Sequence, residues 1–573
     1  MKQFNTMKKY FAVGVTALML VVSCSDDFLE VAPTGSLADA QVGTKAGIEG
    51  LLIGTYSALN GVFGSRFEGP NHWVTGSVVG GEANKGTDAG DYSAINPVQR
   101  YEVDPTSGDL FNLWRGRYEG VARANGVLRA LANATDVSGP DAARIEGEAK
   151  MLRGHFYFDL KKHFNSIPVF DETVAAADVI LVPNTTDVWG QIEADFQSAY
   201  DNLPVNNGPG RVSKMAAAAY MGKAKLYQGK WSEAKQWFDI VIGSGQYMLL
   251  DDYMQIFNAE NDNHAESVMD VESANNTGST QNANYFDDLN YPYNTGPDGP
   301  GNCCGFFQPS FELGNSFRTS GGLPLLDGSY NDPANEIATD YNVESSDAFT
   351  EDAGELDPRI DFSLGRRGIP YLDWREHPGK AWIRSQPYAG PYSPKKFIYY
   401  RSQEGSFTDA SSWTRGYALM NYNIIRYADV LLMQAEAEVE LGNLEAARAL
   451  VNQVRARAAN SAYWVMEYDG SAPAANYVIS EYTAPWTDAN TARAAVRMER
   501  KLELSGEGHR FFDLVRWGIA ASALNDYLSY ESQYLVTKFG GASFTTGKNE
   551  YYPIPQSQID IQGSEVLSQN PGY

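Results

Sequence analysis

The sequence is poor in the residues that build metal and redox centres. Among its 573 residues are three cysteines and six histidines, and the histidines are dispersed. Cys303 and Cys304 are neighbours with no histidine near them in the sequence, so they cannot build a four-ligand zinc site. In an oxidising compartment they are either two thiols or a strained ring disulfide between adjacent residues. We therefore predict no metal site and no cofactor.

The usual catalytic motifs are also absent. The chain has no Gly-x-Ser-x-Gly elbow, no His-Glu-x-x-His helix and no Gly-Lys-Ser/Thr phosphate loop. Two adjacent acid pairs, Asp287-Asp288 and Glu351-Asp352, could act as glycosidase carboxylates or calcium ligands. Adjacent acids in a polar loop are more often solvated surface or a calcium ligand cluster than catalytic carboxylates. The sequence thus favours a protein that is not an enzyme.

Long apolar runs are missing except near the N-terminus. Residues 10–22 form an apolar run behind Lys8 and Lys9. A transmembrane helix needs about 20 apolar residues, so this shorter run predicts a secretion signal over residues 1–23. Cys24 follows a small residue where a signal peptidase would cut, which is where bacterial lipoproteins carry their acyl chains. We predict an exported protein that begins at a lipid-modified Cys24.

Basic residues are scarce relative to acidic ones. The chain has 45 lysines and arginines against 71 aspartates and glutamates, for a net charge of −26. Removing residues 1–23 takes away three lysines and no acid. A field of this sign repels phosphate backbones and anionic headgroups, so nucleic acid is excluded as a partner, whereas neutral ligands are not disfavoured.

Two segments have the pattern of helical hairpins. Residues 214–228 predict an alanine-rich helix, Gly229 breaks it, and residues 231–242 predict a second helix. The same design recurs over residues 424–458, where Gly442 separates two segments with apolar residues every three or four positions.

The register of the two hairpins resembles the tetratricopeptide repeat. Aligning their glycine breaks places Ala234 on Ala447 and Phe238 on Val451, and Gly222 stands twelve positions ahead of Ala234. In that repeat, an alanine and a large apolar residue one turn later lock the second helix into the first.

The rest of the chain divides into helical and irregular parts. Further amphipathic helices are predicted over residues 113–131, 146–164, 188–202 and 493–504. Residues 258–400 are instead rich in glycine, proline, asparagine and aromatic residues, and a stretch this long without helices is usually functional. We predict a mainly α fold in one domain, residues 24–573. Tetratricopeptide-like hairpins form a curved scaffold over residues 40–257 and 420–530, with a loop-rich insertion over 258–400 and minor β structure.

Several motifs, in order along nearly the whole chain, resemble those of one protein family. They are DDFLE (26–30), GEAKMLRGHFYF (147–158), IPV (167–169), RYADVLLMQAEA (426–437), ERKLEL (499–504), HRFFDLVRWG (509–518), YPIP (552–555) and QNPGY (569–573). Together they resemble the SusD/RagB family of outer-membrane lipoproteins of Bacteroidetes. Members of that family capture glycans or other nutrients for a TonB-dependent transporter.

The resemblance implies a ligand site on one face, built from loops after the first helix and from the insertion. A pyranose exposes a patch of C–H groups that packs on an aromatic ring, with polar groups at the rim. The matching positions are Asn71, Trp73, Tyr291, Tyr293, Tyr371, Trp374, Trp382 and Tyr388. For each ring the competing interpretation is a plug over the core.

The resemblance also implies a role. It predicts a non-catalytic, cell-surface glycan-binding lipoprotein that is anchored in the outer membrane and delivers oligosaccharide to a SusC-like TonB-dependent transporter as its lid. The alternatives are a structural helical-repeat scaffold of the envelope, a peptide-binding protein and a glycan-active enzyme. Exposed loop aromatics around one cleft favour glycan binding, whereas a smooth helical groove without them favours the scaffold.

Charged residues in these motifs predict structural contacts. Opposite charges recur on helices that we expect to face one another, and losing one partner of a buried pair costs about 3–5 kcal/mol. The residues expected to pair are Arg426, Asp429, Glu436, Glu499, Arg500, Glu503, Arg510, Asp513 and Arg516.

Replacing the predicted lipid attachment site tests the anchor. Cys24→Ala removes the thiol that would take the diacylglyceryl group, so we expect the protein to leave the outer-membrane fraction or to remain unprocessed. Membrane fractionation with immunoblotting measures this, and Cys303→Ala is the control. Recovery of the Cys24→Ala protein in the outer membrane at the normal level would contradict the prediction.

Overall fold

The computed structural model describes residues 42–277, 279, 282–301, 303–411 and 415–573. The signal segment and Cys24 lie outside the described residues, so their assignment stays a prediction. Within these ranges, no helix combines the length and the apolar character that a bilayer span requires.

Helices make up most of the regular structure. The α-helices are α1 (Lys45–Ser57), α2 (Ile95–Gln99), α3 (Gly108–Asn133), α4 (Gly139–Phe164), α5 (Trp189–Asn202), α6 (Lys214–Tyr227), α7 (Trp231–Gly243), α8 (Phe311–Ser316), α9 (Ile360–Ser363), α10 (Gln386–Ala389), α11 (Tyr427–Glu440), α12 (Leu444–Ala458), α13 (Ala489–Glu503), α14 (Arg510–Arg516), α15 (Ala520–Glu531), α16 (Val536–Phe539) and α17 (Gln556–Gln562). The predicted mainly α fold is confirmed.

The strands are short and pair in twos, always antiparallel. They are β1 (Ala83–Gly86) with β5 (Phe306–Pro309), β2 (Ile167–Pro168) with β3 (Asn184–Thr185), β4 (Ser267–Val271) with β14 (Tyr422–Arg426), β6 (Thr319–Ser320) with β7 (Leu323–Pro324), β8 (Leu364–Gly365) with β11 (Ser393–Pro394), β9 (Pro370–Tyr371) with β10 (Arg375–Glu376), and β12 (Thr408–Asp409) with β13 (Tyr417–Ala418). Most of these strands belong to the insertion or to its borders.

The helical scaffold is built from consecutive hairpins. Helices α3 to α7 each pack on the next, α7 packs on α11, and α11 packs on both α12 and α13. One continuous apolar core runs between them. The scaffold therefore joins two parts of the chain that the insertion separates in sequence.

The first predicted hairpin shows why its helices pack closely. Helix α6 begins after Ser213, whose Oγ accepts a hydrogen bond from the Ala216 amide at 3.2 Å, and the chain turns at Gly229 with φ +68°. A Cβ on Gly222 would lie 2.5 Å from the Phe238 ring. The absence of a side chain at Gly222 thus lets the buried Phe238 lock α7 against α6, as the tetratricopeptide register predicts.

The start of the second predicted hairpin is wrong by three residues. Ile424 lies on β14, and helix α11 begins only at Tyr427. In the pairing of β14 with β4, Ile425 stands opposite Met269. The adjacent β-branched residues Ile424 and Ile425 favour a strand. The partner strand, β4, is distant in the sequence, so the spacing of apolar residues around Ile424 could not indicate it.

A group of buried charges, here called the central ion network, ties the insertion to the scaffold. Its five cations and five carboxylates are Arg359, Lys396, Arg426, Arg455, Arg457, Glu266, Asp357, Glu499, Glu503 and Glu507. All ten are buried. The equal count matters because an unpaired charge in the interior would cost several kcal/mol.

Glu503 is the centre of this network. Its carboxylate contacts Arg426 at 2.6 Å, Arg359 at 3.0 Å and also Arg457. Burial by itself would raise the pKa of Glu503, but the three guanidiniums outweigh burial and hold its pKa well below the usual range. The carboxylate is therefore ionised in the folded protein.

The other charged motif residues pair as predicted, with one exception. Arg500 contacts Asp429 at 2.7 Å and Asp513 at 2.9 Å. A second pair joins Arg516 to Glu436 at 2.5 Å. Arg510, in contrast, has no carboxylate within 4 Å among the described residues.

Glu503→Gln tests the central ion network. The amide cannot balance three buried guanidiniums, so we expect the free energy of unfolding to fall by about 3–5 kcal/mol at pH 7. Chemical denaturation measures it. The control is Glu102→Gln, which removes an exposed pair with Arg100 and costs about 0–1 kcal/mol. Equal losses in the two variants would contradict the prediction.

The same comparison has a defined pH dependence. Because folding depresses the pKa of Glu503, its contribution is present above the unfolded pKa of about 4.3 and is lost as the pH falls further. The difference between wild type and Glu503→Gln should therefore shrink below about pH 4.

Candidate ligand-binding face

Asn71 and Trp73 lie inside the protein. Trp73 opens a six-residue π-helical turn, Trp73–Val78, and is 0% exposed. Its indole N–H donates to the Phe286 carbonyl at 3.0 Å, and the Asn71 amide donates to Asp287 at 2.7 Å. An exposed platform at Trp73 is therefore not what the structure shows; its burial matches the plug interpretation.

Four other predicted rings gather in one buried cluster of the insertion. Tyr291, Tyr371, Trp374 and Trp382 pack together with Tyr399. The Tyr371 and Trp382 rings meet edge to face at 5.5 Å, and the Trp374 indole donates to the Tyr399 carbonyl at 3.1 Å. These rings form a small core that supports loops which have little regular structure of their own.

Tyr388 is also buried. Its hydroxyl donates to Asn96 at 3.0 Å, and the Lys538 ammonium lies 4.1 Å from its ring centroid. Lys85 lies near the same ring, at 5.4 Å. Tyr388 therefore joins helix α10 to helix α2 and does not present a free ring.

Tyr293 is the one predicted residue that is partly exposed. Its amide donates to the Trp382 carbonyl at 2.8 Å, so the buried cluster anchors its backbone. The Arg384 guanidinium lies 5.5 Å from its ring centroid. The structure thus leaves one aromatic face at the edge of the cluster and places a cation beside it.

Three loop residues from the scaffold side meet Arg384. The guanidinium donates to Thr87 Oγ1 at 2.8 Å, contacts Asp91 at 2.5 Å and contacts Asp88 at 2.8 Å. Asp88, Asp91 and Arg384 are each partly exposed. Together with Tyr293 they form a polar and aromatic surface, here called the Tyr293 face, and the buried Thr87 supports it from beneath.

Local backbone geometry positions the Tyr293 face. Strand β1 pairs with β5, and just beyond that pair the Thr87 amide donates to the Gly305 carbonyl at 2.6 Å. Hydrogen bonds from the Asp91 and Gly90 amides to the Asp88 carboxylate lower the pKa of Asp88. The carboxylate is therefore ionised and held in a tight turn at the rim.

The adjacent cysteines lie beside this face. Their sulfur atoms lie next to each other, and the following residue, Gly305, lies against the Tyr293 side chain. A ring disulfide would stiffen the loop that carries Tyr293. The oxidation state of Cys303 and Cys304 stays a prediction.

The adjacent acids considered above as glycosidase carboxylates or calcium ligands, Asp287 and Asp288, make structural contacts. Asp287 and Asp288 are buried, not solvated as expected: Asp288 pairs with Arg66 at 2.7 Å, and Asp287 accepts from Asn71 and Asn290. Burial raises the pKa of Asp287 to about 7. Both carboxylates are engaged in structural contacts, so the pair does not have the arrangement of a glycosidase dyad.

One group of described residues has metal-ligand geometry: the buried His72, Asp159 and His163. The Lys162 ammonium already lies 2.7 Å from Asp159 and 3.0 Å from His72 Nε2, and Arg117 also contacts Asp159. Burial lowers the pKa of His163 to about 3. Two cations occupy the carboxylate, so the donor set does not fit a divalent metal.

No sequence motif identified Thr87, Asp88, Asp91 or Arg384 as a residue of the candidate site. Each is an ordinary polar loop residue, and the loop residues and Arg384 are almost three hundred positions apart. They come together through backbone contacts between distant segments, from the Thr87 amide to the Gly305 carbonyl and from the Tyr293 amide to the Trp382 carbonyl, and no local sequence pattern indicates these contacts. The proximity of Asp88 and Asp91 to a glycine-rich turn was the only available signal.

Comparisons with known proteins agree with this architecture. The family model described as the SusD family matches residues 265–573, and a second, described as "Starch-binding associating with outer membrane", matches residues 27–227. SusD-like protein P2 of Formosa agariphila is 25% identical over 99% of this chain and 100% of its own length. SusD-like protein P25 of the same organism is 24% identical over 89% and 91%.

Solved structures show the same fold. A SusD superfamily protein from Bacteroides vulgatus has a TM-score of 0.67 at 21% identity, with 92% of this chain and 99% of that chain covered. A structure titled "Laminarin binding SusD-like protein" has a TM-score of 0.65 at 25% identity over the same shares. With one family model matching more than half of its length, this chain belongs to the SusD family.

Proposed function

We propose that the Tyr293 face binds an oligosaccharide without catalysis and that the protein delivers it to a SusC-like TonB-dependent transporter. The observation that carries the proposal is a partly exposed ring beside a fixed polar rim. A pyranose can pack its C–H patch on Tyr293 while its hydroxyls exchange hydrogen bonds with Asp88, Asp91 and Arg384.

The relatives support a glycan as the ligand class. One structure at 25% identity is titled as laminarin-binding, and a surface glycan-binding protein from Bacteroides thetaiotaomicron, with a TM-score of 0.64 at 20% identity, was solved with laminarihexaose. The second likeness supports the fold alone. Laminarihexaose is accordingly the first probe for this chain, followed by a glycan array.

The proposed location is the cell surface, at the outer membrane. The description of the model that matches residues 27–227 names association with the outer membrane, and Cys24 is the predicted lipid attachment site. A protein with a single lipid tether has no path across the membrane for its ligand. We therefore propose a transporter partner, which this protein covers as a lid.

The Tyr293 face is tested by separating binding from stability. Tyr293→Ala removes a partly exposed ring, so we expect glycan affinity to fall about tenfold with little change in melting temperature. Tyr293→Phe keeps the ring and should retain most of the affinity. The exposed Tyr463 is a matched control, and Tyr463→Ala should change neither property. Calorimetric titration and thermal unfolding measure both quantities.

Trp374→Ala gives the contrasting result. Trp374 is a buried member of the insertion cluster, so its truncation should lower the free energy of unfolding by about 3–5 kcal/mol.

Wild-type glycan affinity in the Tyr293→Ala variant would show that the Tyr293 face is not the binding site. A wild-type protein that binds no glycan on the array would favour the scaffold alternative.

The transporter partner is tested by co-purification. Extraction of the tagged lipoprotein in mild detergent should recover a large β-barrel protein in near-equal amount, identified by mass spectrometry. A tagged, unrelated outer-membrane lipoprotein is the control for non-specific capture. Recovery of this protein alone, under conditions that preserve other envelope complexes, would count against the lid.

A further inference from the structure

A second cleft lies between helices α13, α14 and α15 and the loop over residues 326–331. Its volume is about 620 Å³, within the range of small-molecule sites. Helix α13 turns Arg497 and Lys501 toward it, one turn apart, and helix α14 contributes Arg510. The cleft contains none of the residues of the Tyr293 face.

Two of these cations have no ion-pair partner. Lys501 is neutralised by Glu312 at 2.5 Å, but no carboxylate of the described residues lies within 4 Å of Arg497 or Arg510. The Nε atom of Arg497 is buried and has no hydrogen-bond acceptor. Burial lowers the pKa of Arg497, and the more distant carboxylates of Glu436 and Glu440 do not outweigh burial.

Trp517 holds both guanidiniums in place without satisfying them. Their carbon centres lie 4.8 Å (Arg497) and 5.9 Å (Arg510) from the ring centroid. A ring face attracts a cation by about 0.5–2 kcal/mol but offers no acceptor for its N–H groups. Glu436 is not that acceptor: its oxygens bind Arg516 and the Trp517 indole, and no ion pair joins it to Arg497 or Arg510.

The remaining walls suit a sugar ring better than a bare ion. Tyr330, Tyr527 and Tyr530 line the cleft, and the Tyr527 hydroxyl is buried without a hydrogen-bond partner. Asp327 and Asp526 also border the cleft; both are exposed, and Asp327 caps the turn at Ser329. The cleft therefore combines two guanidiniums that have no ion-pair partner, aromatic walls and a hydroxyl that has no hydrogen-bond partner.

We propose that this cleft binds an acidic sugar, with Arg497 and Arg510 holding the oxyanion of its carboxylate or sulfate ester. A guanidinium donates two parallel hydrogen bonds to such a group, and these charge-assisted bonds are about twice as strong as neutral ones. The identification of the ligand as a sugar rests on the proposed function. The identification of its bound group as an oxyanion rests on the two arginines and is independent of that function. The site would recognise a charged substituent that the Tyr293 face does not select.

Three sugars with the same ring test the oxyanion. Glucuronic acid carries a carboxylate, glucose 6-sulfate a sulfate ester, and glucose neither, and each is titrated into the full mature protein by saturation-transfer NMR. We expect at least one acid to bind and glucose to bind about tenfold more weakly or not at all. Whichever acid binds better identifies the substituent. Equal binding of all three sugars, or no binding of either acid, would overturn the proposal.

Paired arginine variants locate the site. Arg497→Gln should weaken binding of the acid about tenfold, whereas Arg493→Gln, one turn earlier on α13 and paired with Glu440 at 2.6 Å, should leave it nearly unchanged. Equal effects of the two variants would overturn the assignment. Tyr293→Ala should keep acid binding, so a failure of the Tyr293 face and a failure of this cleft give different results.

A measurement on the wild-type protein guards against misfolded variants. Phenylglyoxal modifies arginine, and peptide mass spectrometry reports the rate at each position. Bound glucuronic acid or glucose 6-sulfate should slow modification of Arg497 and Arg510 and leave Arg493 unchanged. Equal rates at Arg497 with and without the acids, at concentrations where NMR shows binding, would place the ligand elsewhere.

Discussion

The central ion network is the constraint on which the arrangement of this protein depends. Folding removes ten charged groups from water together. The free-energy cost of burying each charge is offset only because its ion-pair partners are buried beside it. The partners come from the insertion, from the residue before β4, from β14, from helices α12 and α13, and from the loop after α13. A displaced insertion would leave Glu503 or its arginines unpaired, so the network specifies how insertion and scaffold meet.

This constraint reaches the Tyr293 face through the insertion. Arg359 and Lys396 belong to the insertion and anchor it to Glu499, Glu503 and Glu507 on the helical side. Between these anchors the buried aromatic cluster stiffens loops rich in glycine and proline. The backbone of Tyr293 is bound to that cluster through Trp382. A site made of loops is thus held by a small aromatic core and by buried charges, with little regular structure.

The same logic explains why Arg510 stands apart. The eight other charged motif residues find partners, although Arg426 lies on strand β14 and not on a helix as expected. Arg510 and Arg497 instead face a cleft in which no carboxylate of the described residues lies within 4 Å of either guanidinium. The Nε atom of Arg497 is also buried without a hydrogen-bond acceptor, and the proposed anion would supply one.

Helix period, glycine breaks and charge alternation are local signals. The helical hairpins, the loop-rich insertion and the paired charges could therefore be predicted from the residues alone. Tertiary structure decided which rings are exposed: Trp73, Tyr291, Tyr371, Trp374, Trp382 and Tyr388 are buried, and Tyr293 is partly open. It also decided the polar rim, since Asp91 and Arg384 are 293 positions apart in the sequence and meet only in the folded chain. An aromatic loop residue is stabilised equally well by a core or by a ligand, and only the packing of distant segments distinguishes the two.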